Sequence, residues 1–287
     1  MSRLARLPRI WCAAVIEETA VEVDGVRVFV RRTPGEGPPV LFVHGNPSHS
    51  EDWVPFLERM NGPALALDLP GWGRSERPDP DRFDGSMHGL ASFLGRFIET
   101  VGLDEYGLVT HDWGALGLIA AQHHPDRVRR IVIINTLPLL PGYRWHWVAR
   151  RFWRRRVLGE LVNATATRPA TALVLRQATA DRRPMPKQFV DMVWRSFDRG
   201  TKRAILELYR SAPEQALAAA GSGLGDLHAP ALVVWGARDP YLPPRFGRLY
   251  AERLPNAELL ELPDAGHWPW IDRPDVVDRV VGFIEAP

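Results

Sequence analysis

The sequence predicts an α/β protein: a mostly parallel sheet covered by helices on both faces, with one helical insertion. Three observations carry that prediction. Short runs of wholly apolar residues, the mark of strands buried on both sides, recur along the chain. Between them lie segments whose apolar residues fall three and four apart, as in Leu90, Phe93, Leu94, Phe97 and Ile98, which is the spacing of one helix face. The alternation breaks once, from about 138 to 220, where helical patterns continue without a convincing strand. A chain of 287 residues fits one large domain or a core with an insertion, and it can bury a full core without staples.

The elements follow in order. Residues 21–23 and 26–30 flank Asp24-Gly25, the strongest short hairpin signal, so the chain opens with an antiparallel pair. The apolar run 40–43 ends in His44-Gly45-Asn46-Pro47. The next, 64–69, runs into the turn-rich Asp68-Leu69-Pro70-Gly71-Trp72-Gly73-Arg74-Ser75. Residues 108–110 form a strand that precedes the Ala/Leu/Ile-rich stretch 115–124, which reads as a helix. Runs at 131–134, 231–235 and 259–262 complete the strands. These bounds assign 1–137 and 221–287 to the core and 138–220 to a helical cap over the strand ends. The cap holds 16 Arg and Lys against 6 Asp and Glu, and its runs Arg150-Arg151 and Arg154-Arg155-Arg156 read mainly as a solvated helix face.

Composition removes several function classes. Only Lys187 and Lys202 are lysines, so the positive charge is nearly all arginine, a bias that carries no functional weight by itself. The lone Cys12 excludes a disulfide framework and any cysteine-built metal site. There is no His-Glu-x-x-His, no phosphate-binding glycine loop and no Cys/His cluster, so neither a metal nor an organic cofactor is expected. The basic residues form no recognisable recognition module, which leaves nucleic acid an unexpected partner. No apolar run approaches the roughly 18–20 residues of a membrane helix, so no membrane insertion is expected. The basic and apolar start, residues 3–16, lacks a small-residue cleavage site and runs into Glu17-Glu18. It reads as a frayed terminus before the first strand rather than a signal peptide, and the cytoplasm is the expected location. A monomer or homodimer is expected.

The chemistry-bearing stretch is Thr110-His111-Asp112-Trp113-Gly114, between a strand and a helix. A small residue, then a nucleophile two residues on, then glycine two further: that pattern makes a sharp elbow that lifts the nucleophile out of the sheet. The nucleophile here is a carboxylate. It attacks an sp3 carbon more usefully than an ester carbonyl, giving an alkyl ester that water must cleave. In open α/β sheets the active groups sit at the carboxyl ends of the strands. Asp239, after the penultimate strand, and His267, after the last, fall there. Either one alone reads as a helix cap or polar surface; with Asp112 they fall in the chain order nucleophile, acid, histidine. The turn at Asn46 is placed to bring its backbone N–H opposite that of Trp113, a pair that would hold an oxyanion, and Asn46-Pro47 is a candidate cis bond.

The aspartate elbow, the His-Gly-x-Pro turn, the 68–75 turn and the Asp239/His267 pair resemble the epoxide hydrolase and haloalkane dehalogenase branch of the α/β-hydrolase superfamily. The resemblance covers essentially the whole chain, though the cap only loosely, and departs at Thr110, where glycine is more usual. It implies an eight-stranded sheet with the cap inserted between the sixth and seventh strands. An epoxide leaves as an alkoxide and needs a proton as it forms. Members resembling this chain supply it from cap tyrosines, which implies roles for Tyr209, 30 residues before Asp239, and for Tyr143, 31 after Asp112. Tyr143 comes early for that position, so His146 or a neighbouring tryptophan is its alternative. In dehalogenases the side chains matching Asn46 and Trp113 clamp the halide. The expected activity is epoxide hydrolysis on a small hydrophobic epoxide with water, with haloalkane dehalogenation as the alternative. Trp145, Trp147, Phe152, Trp153 and Trp194 point to a hydrophobic substrate.

Overall fold

The computed structural model describes residues 15–286. The strands are β1 (Glu17–Val23), β2 (Val26–Thr33), β3 (Val40–Val43), β4 (Ala64–Leu67), β5 (Tyr106–Asp112), β6 (Val128–Thr136), β7 (Ala231–Gly236) and β8 (Ala257–Leu262). They form one eight-stranded sheet in the order β1-β2-β4-β3-β5-β6-β7-β8. Only the pairings of β2 with β1 and with β4 are antiparallel. The helices before the insertion are α1 (Val54–Leu57), α2 (Met87–Thr100) and α3 (Ala115–Ala121). Those between β6 and β7 are α4 (Leu158–Ala164), α5 (Arg168–Arg176), α6 (Lys187–Ser196), α7 (Arg199–Ser211) and α8 (Glu214–Ala220). The last three are α9 (Arg245–Arg253), α10 (Pro269–Asp272) and α11 (Asp275–Ile284).

Side-chain alternation along the strands divides the core. Leu41, Val43, Leu108, Ile131, Ile133 and Val233 pack on one face with α2, α3 and α9. Val40, Phe42, Val109, Val132, Ile134 and Val234 pack on the other with α1 and α11. Because both faces are covered, these strands need no polar positions, which is why they read as unbroken apolar runs. The hairpin forms at Asp24-Gly25, with φ of 51° and 75° at the two turn residues.

Boundaries moved where side chains bond the backbone. The strand expected over 64–69 stops at Leu67, because the Asp68 carboxylate accepts the N–H of Ser50 (2.7 Å) and of Arg74 (2.7 Å) and bends the chain. β5 and β6 are longer than expected since they pair with one another from Tyr106↔Val128 to Asp112↔Thr136. The arginine runs are mainly exposed, as expected, with one exception. Arg154 is half-buried and donates to the carbonyls of Tyr209 (2.6 Å) and Ala212 (2.7 Å), so it ties 149–154 to the end of α7. The other four arginines of the two runs are exposed. Residues 3–14, with Cys12, lie outside the described residues. No helix among the described residues is long and apolar enough to cross a membrane.

Candidate active site

β5 delivers Asp112 to the carboxyl edge of the sheet, where its φ of 48° puts a side-chain-bearing residue in the left-handed region. The bend is held by tight neighbours. A Cβ on Gly114 would lie 2.2 Å from the Val43 carbonyl oxygen, and one on Gly45 would lie 2.4 Å from the Asp112 Cβ, so both positions need glycine. Thr110 fits in place of the usual glycine because its hydroxyl bonds that of Thr136 (3.0 Å), on the neighbouring strand.

The three side chains predicted from sequence meet at this edge. His267 Nδ1 lies 2.7 Å from Asp239 Oδ2. The other oxygen of Asp239 accepts the backbone N–H groups of Tyr241 (2.7 Å) and Leu242 (3.0 Å). Asn135, at the end of β6 with φ of 34°, donates from Nδ2 to Asp239 Oδ2 (2.7 Å) and accepts from Gly236 N–H (2.7 Å). The sequence reading placed no function at Asn135. Its signal was available, since asparagine tolerates the left-handed region better than other side-chain residues.

The backbone N–H of Asn46 donates to Asp112 Oδ2 (2.8 Å), and that of Trp113 also stabilises the carboxylate. The pair therefore sits on a carboxylate oxygen of Asp112, the atom that would carry charge if an ester at Asp112 were attacked. The Asn46-Pro47 bond is cis. Trp72 Nε1 donates to Asn46 Oδ1 (3.2 Å), which turns the amide nitrogen of Asn46 away from Trp72. The 68–75 turn thus orients a cavity side chain, a role its sequence did not disclose.

Burial raises the pKa of Asp112 above the usual carboxylate value, opposed by His267 and by the two N–H donors. Burial alone would lower His267, but the charges of Asp239, Asp112 and Asp52 outweigh it, and its pKa is raised. Asp52 was not anticipated. It is fully buried behind the cavity, accepts Trp268 Nε1 (3.0 Å), and its Oδ1 has no hydrogen-bond partner. Burial pushes its pKa up to about 7. His44 and His146 are held neutral by burial, each at about 4.

Above Asp112 lies a cavity of about 310 Å³. Its polar lining includes Asn46, Asp112, Tyr143, His146, Tyr209, Tyr241 and His267, and its apolar lining includes Trp145, Trp153, Val193 and Ile205. Tyr209 is buried edge-on to Trp113 (5.1 Å, 71°), and burial followed by the Asp112 charge raises its pKa. The Trp113 indole and the Asn46 amide act in the opposite sense on the same hydroxyl. The Tyr143 hydroxyl is buried without a hydrogen-bond partner, and its pKa is raised by burial first and then by Tyr209 and Asp112. Trp145 and Trp153 line the cavity as expected; Trp147, Phe152 and Trp194 do not, and Trp147 is 59% exposed.

Comparison with known proteins places the fold in a family. The α/β hydrolase fold family model matches residues 38–274. Haloalkane dehalogenase 2 of Mycobacterium bovis is 30% identical over 86% of this chain and 87% of its own. A cis-3-alkyl-4-alkyloxetan-2-one decarboxylase of Shewanella oneidensis is 27% identical over 85% and 80%. Epoxide hydrolase 2 of Siraitia grosvenorii is 35% identical over 42% and 39%. Among solved structures, the haloalkane dehalogenase DbeA of Bradyrhizobium elkani superposes with a TM-score of 0.80, at 26% identity over 94% of this chain and 98% of that one. The chain belongs to the α/β-hydrolase superfamily, in the branch that holds the haloalkane dehalogenases and the epoxide hydrolases.

Proposed function

We propose that the protein is an epoxide hydrolase, with Asp112 as nucleophile and segment 138–220 as a cap that supplies the acid. The observation that carries this reading is the pair of buried tyrosine hydroxyls, Tyr209 and Tyr143, in the cavity above Asp112. A buried hydroxyl without a partner is rare, and Tyr143 has none, which suits a donor waiting for a substrate oxygen. Both phenols are protonated at neutral pH, as any tyrosine with a pKa near or above the ordinary value of about 10 is.

The steps balance as follows. Asp112 Oδ1 attacks one ring carbon in line, and the C–O bond of the epoxide breaks. The oxygen leaves with a proton from Tyr209, assisted by Tyr143, and a hydroxyalkyl ester of Asp112 remains. His267, oriented by Asp239, takes a proton from water, whose oxygen adds to the ester carbonyl carbon. The N–H groups of Asn46 and Trp113 hold the resulting oxyanion on Oδ2. Collapse expels the second oxygen, which takes the proton that the added water left on the Asp112 carboxyl group, so the diol departs and the carboxylate is restored. The imidazolium proton restores the tyrosine through solvent in the opened site. Esterification also removes the Asp112 charge that helped to raise His267, so the pKa of the histidine falls and more of it is neutral and able to accept a proton when water must be activated.

A second reading, haloalkane dehalogenase, is favoured by Asn46 and Trp113, the indole N–H of which has no aligned hydrogen-bond partner. The Tyr209 hydroxyl, however, lies against both groups where a halide would be clamped. Incubation with styrene oxide and, separately, with 1-bromobutane distinguishes the two. Diol without bromide is expected; bromide without diol makes the protein a dehalogenase.

A further inference from the structure

Charge is divided unevenly along this chain. Of its 36 Arg and Lys, 16 lie in 138–220 with only 6 of the 34 Asp and Glu; the remaining 20 cations accompany 28 anions. A net charge of +2 therefore conceals an insertion at +10 on a remainder at −8. Large exposed apolar side chains concentrate in the same segment: Trp147 (59%), Val157 (75%), Leu158, Leu161 (57%), Leu173 (62%) and Val174. Arg150, Arg151, Arg155 and Arg156 are exposed between the first four of these, and none of them makes an ion pair among the described residues.

The exposed part of the cavity lining falls in the same segment, and α4 packs against residues 149–153. Of the residues that line the cavity, only Thr165, Ala170 and Val174 are exposed, at the end of α4 and along α5. Leu161 and Leu173, each one residue from a lining side chain, stand beside that exposed lining.

We propose that this face docks the enzyme on an anionic lipid surface, with its cavity mouth against the membrane, so that an apolar substrate enters from the lipid. Single apolar side chains projecting from helices among arginines suit a headgroup layer, where the apolar tips enter the acyl boundary and guanidinium groups meet phosphates. An acidic protein partner would match the charge but leaves the protruding Val157, Leu161 and Leu173 without a role. The proposal holds whichever bond the enzyme cleaves.

The test is co-sedimentation of the whole protein with vesicles of phosphatidylglycerol mixed with phosphatidylcholine, against phosphatidylcholine alone. Binding to the anionic vesicles only, weakened by salt, is expected. The double variant Arg155→Glu/Arg156→Glu and the single variant Leu161→Ser should each bind at least about tenfold more weakly, roughly one or two lost contacts of each kind. Both should keep their turnover of a water-dissolved substrate, which shows that they are folded. Brominated lipid should quench the wild type more than Trp147→Phe. No binding to anionic vesicles overturns the proposal. So does binding that is insensitive to Leu161→Ser and gives no lipid quenching, which would reduce it to charge adsorption without entry of the apolar side chains.

Discussion

The rim of the sheet and the helices facing it enclose one cavity by opposite means. At the rim, Asp239 has both oxygens engaged, by Asn135, His267 and two backbone N–H groups, and Asp112 is held by the N–H of Asn46. Across the cavity, the Tyr143 hydroxyl has no partner and the nearby surface exposes apolar side chains to solvent. On the proposed reading, the rim is preorganised for what every substrate needs, an attacking carboxylate and the hydrolysis of its ester, and not for the leaving group itself. The helices hold what depends on the leaving group. A family can then change substrate by altering the insertion while its triad stays fixed.

The largest effect should come from the rim. Asp112→Ala is expected to abolish turnover, since no other side chain there can form the ester, and residual diol formation above background would contradict this. His267→Gln should behave differently, because alkylation does not need the histidine. Intact-mass spectrometry should show a covalent adduct that persists. Asp239→Asn should cost on the order of 10⁴ in rate with the fold intact, as loss of the orienting acid does in a Ser-His-Asp triad. A near-normal rate would transfer the role to another acid.

Tyr209→Phe tests the other side. Removing one general acid should cost ~10²–10⁴ in epoxide turnover, softened where Tyr143 substitutes. Asn46→Ala keeps the backbone N–H on Asp112 and should cost far less. The reverse pattern, Tyr209→Phe silent and Asn46→Ala abolishing bromide release, would make Asn46 and Trp113 a halide site.

The smallest effect concerns Asp52, which should alter stability with pH. Its folded pKa of about 7 lies above the ordinary 3.8, so its contribution is fully present at low pH and is lost as pH rises through about 7. Asp52→Asn keeps an acceptor for Trp268 and removes the buried charge. It should therefore gain on the wild type between pH 4 and 8, by at most on the order of 4 kcal/mol. Urea denaturation at both ends measures this, and a difference independent of pH would place the titration elsewhere.

Much of the rim was legible in the sequence, because strand ends, the elbow and the order of Asp112, Asp239 and His267 are local patterns. What was not legible depends on pairs remote in the chain. Asn135 bonds Asp239 from 104 residues away, and Asp52 meets Trp268 across 216. Arg154 is indistinguishable by sequence from its exposed neighbours, yet it turns inward because two carbonyls near the end of α7 lie within its reach. Tyr209 was legible only through the family's spacing, since an amphipathic helix gives a core tyrosine the same pattern.

The central claim is that the carboxylate of Asp112 attacks the substrate and water attacks the ester. A single turnover of excess enzyme on styrene oxide in ¹⁸O-water tests this directly. The account predicts that the first diol carries an unlabelled oxygen from Asp112 and that the label appears in the Asp112 peptide. Label in the first diol with none in that peptide would mean that water attacks the epoxide directly, and would contradict the account.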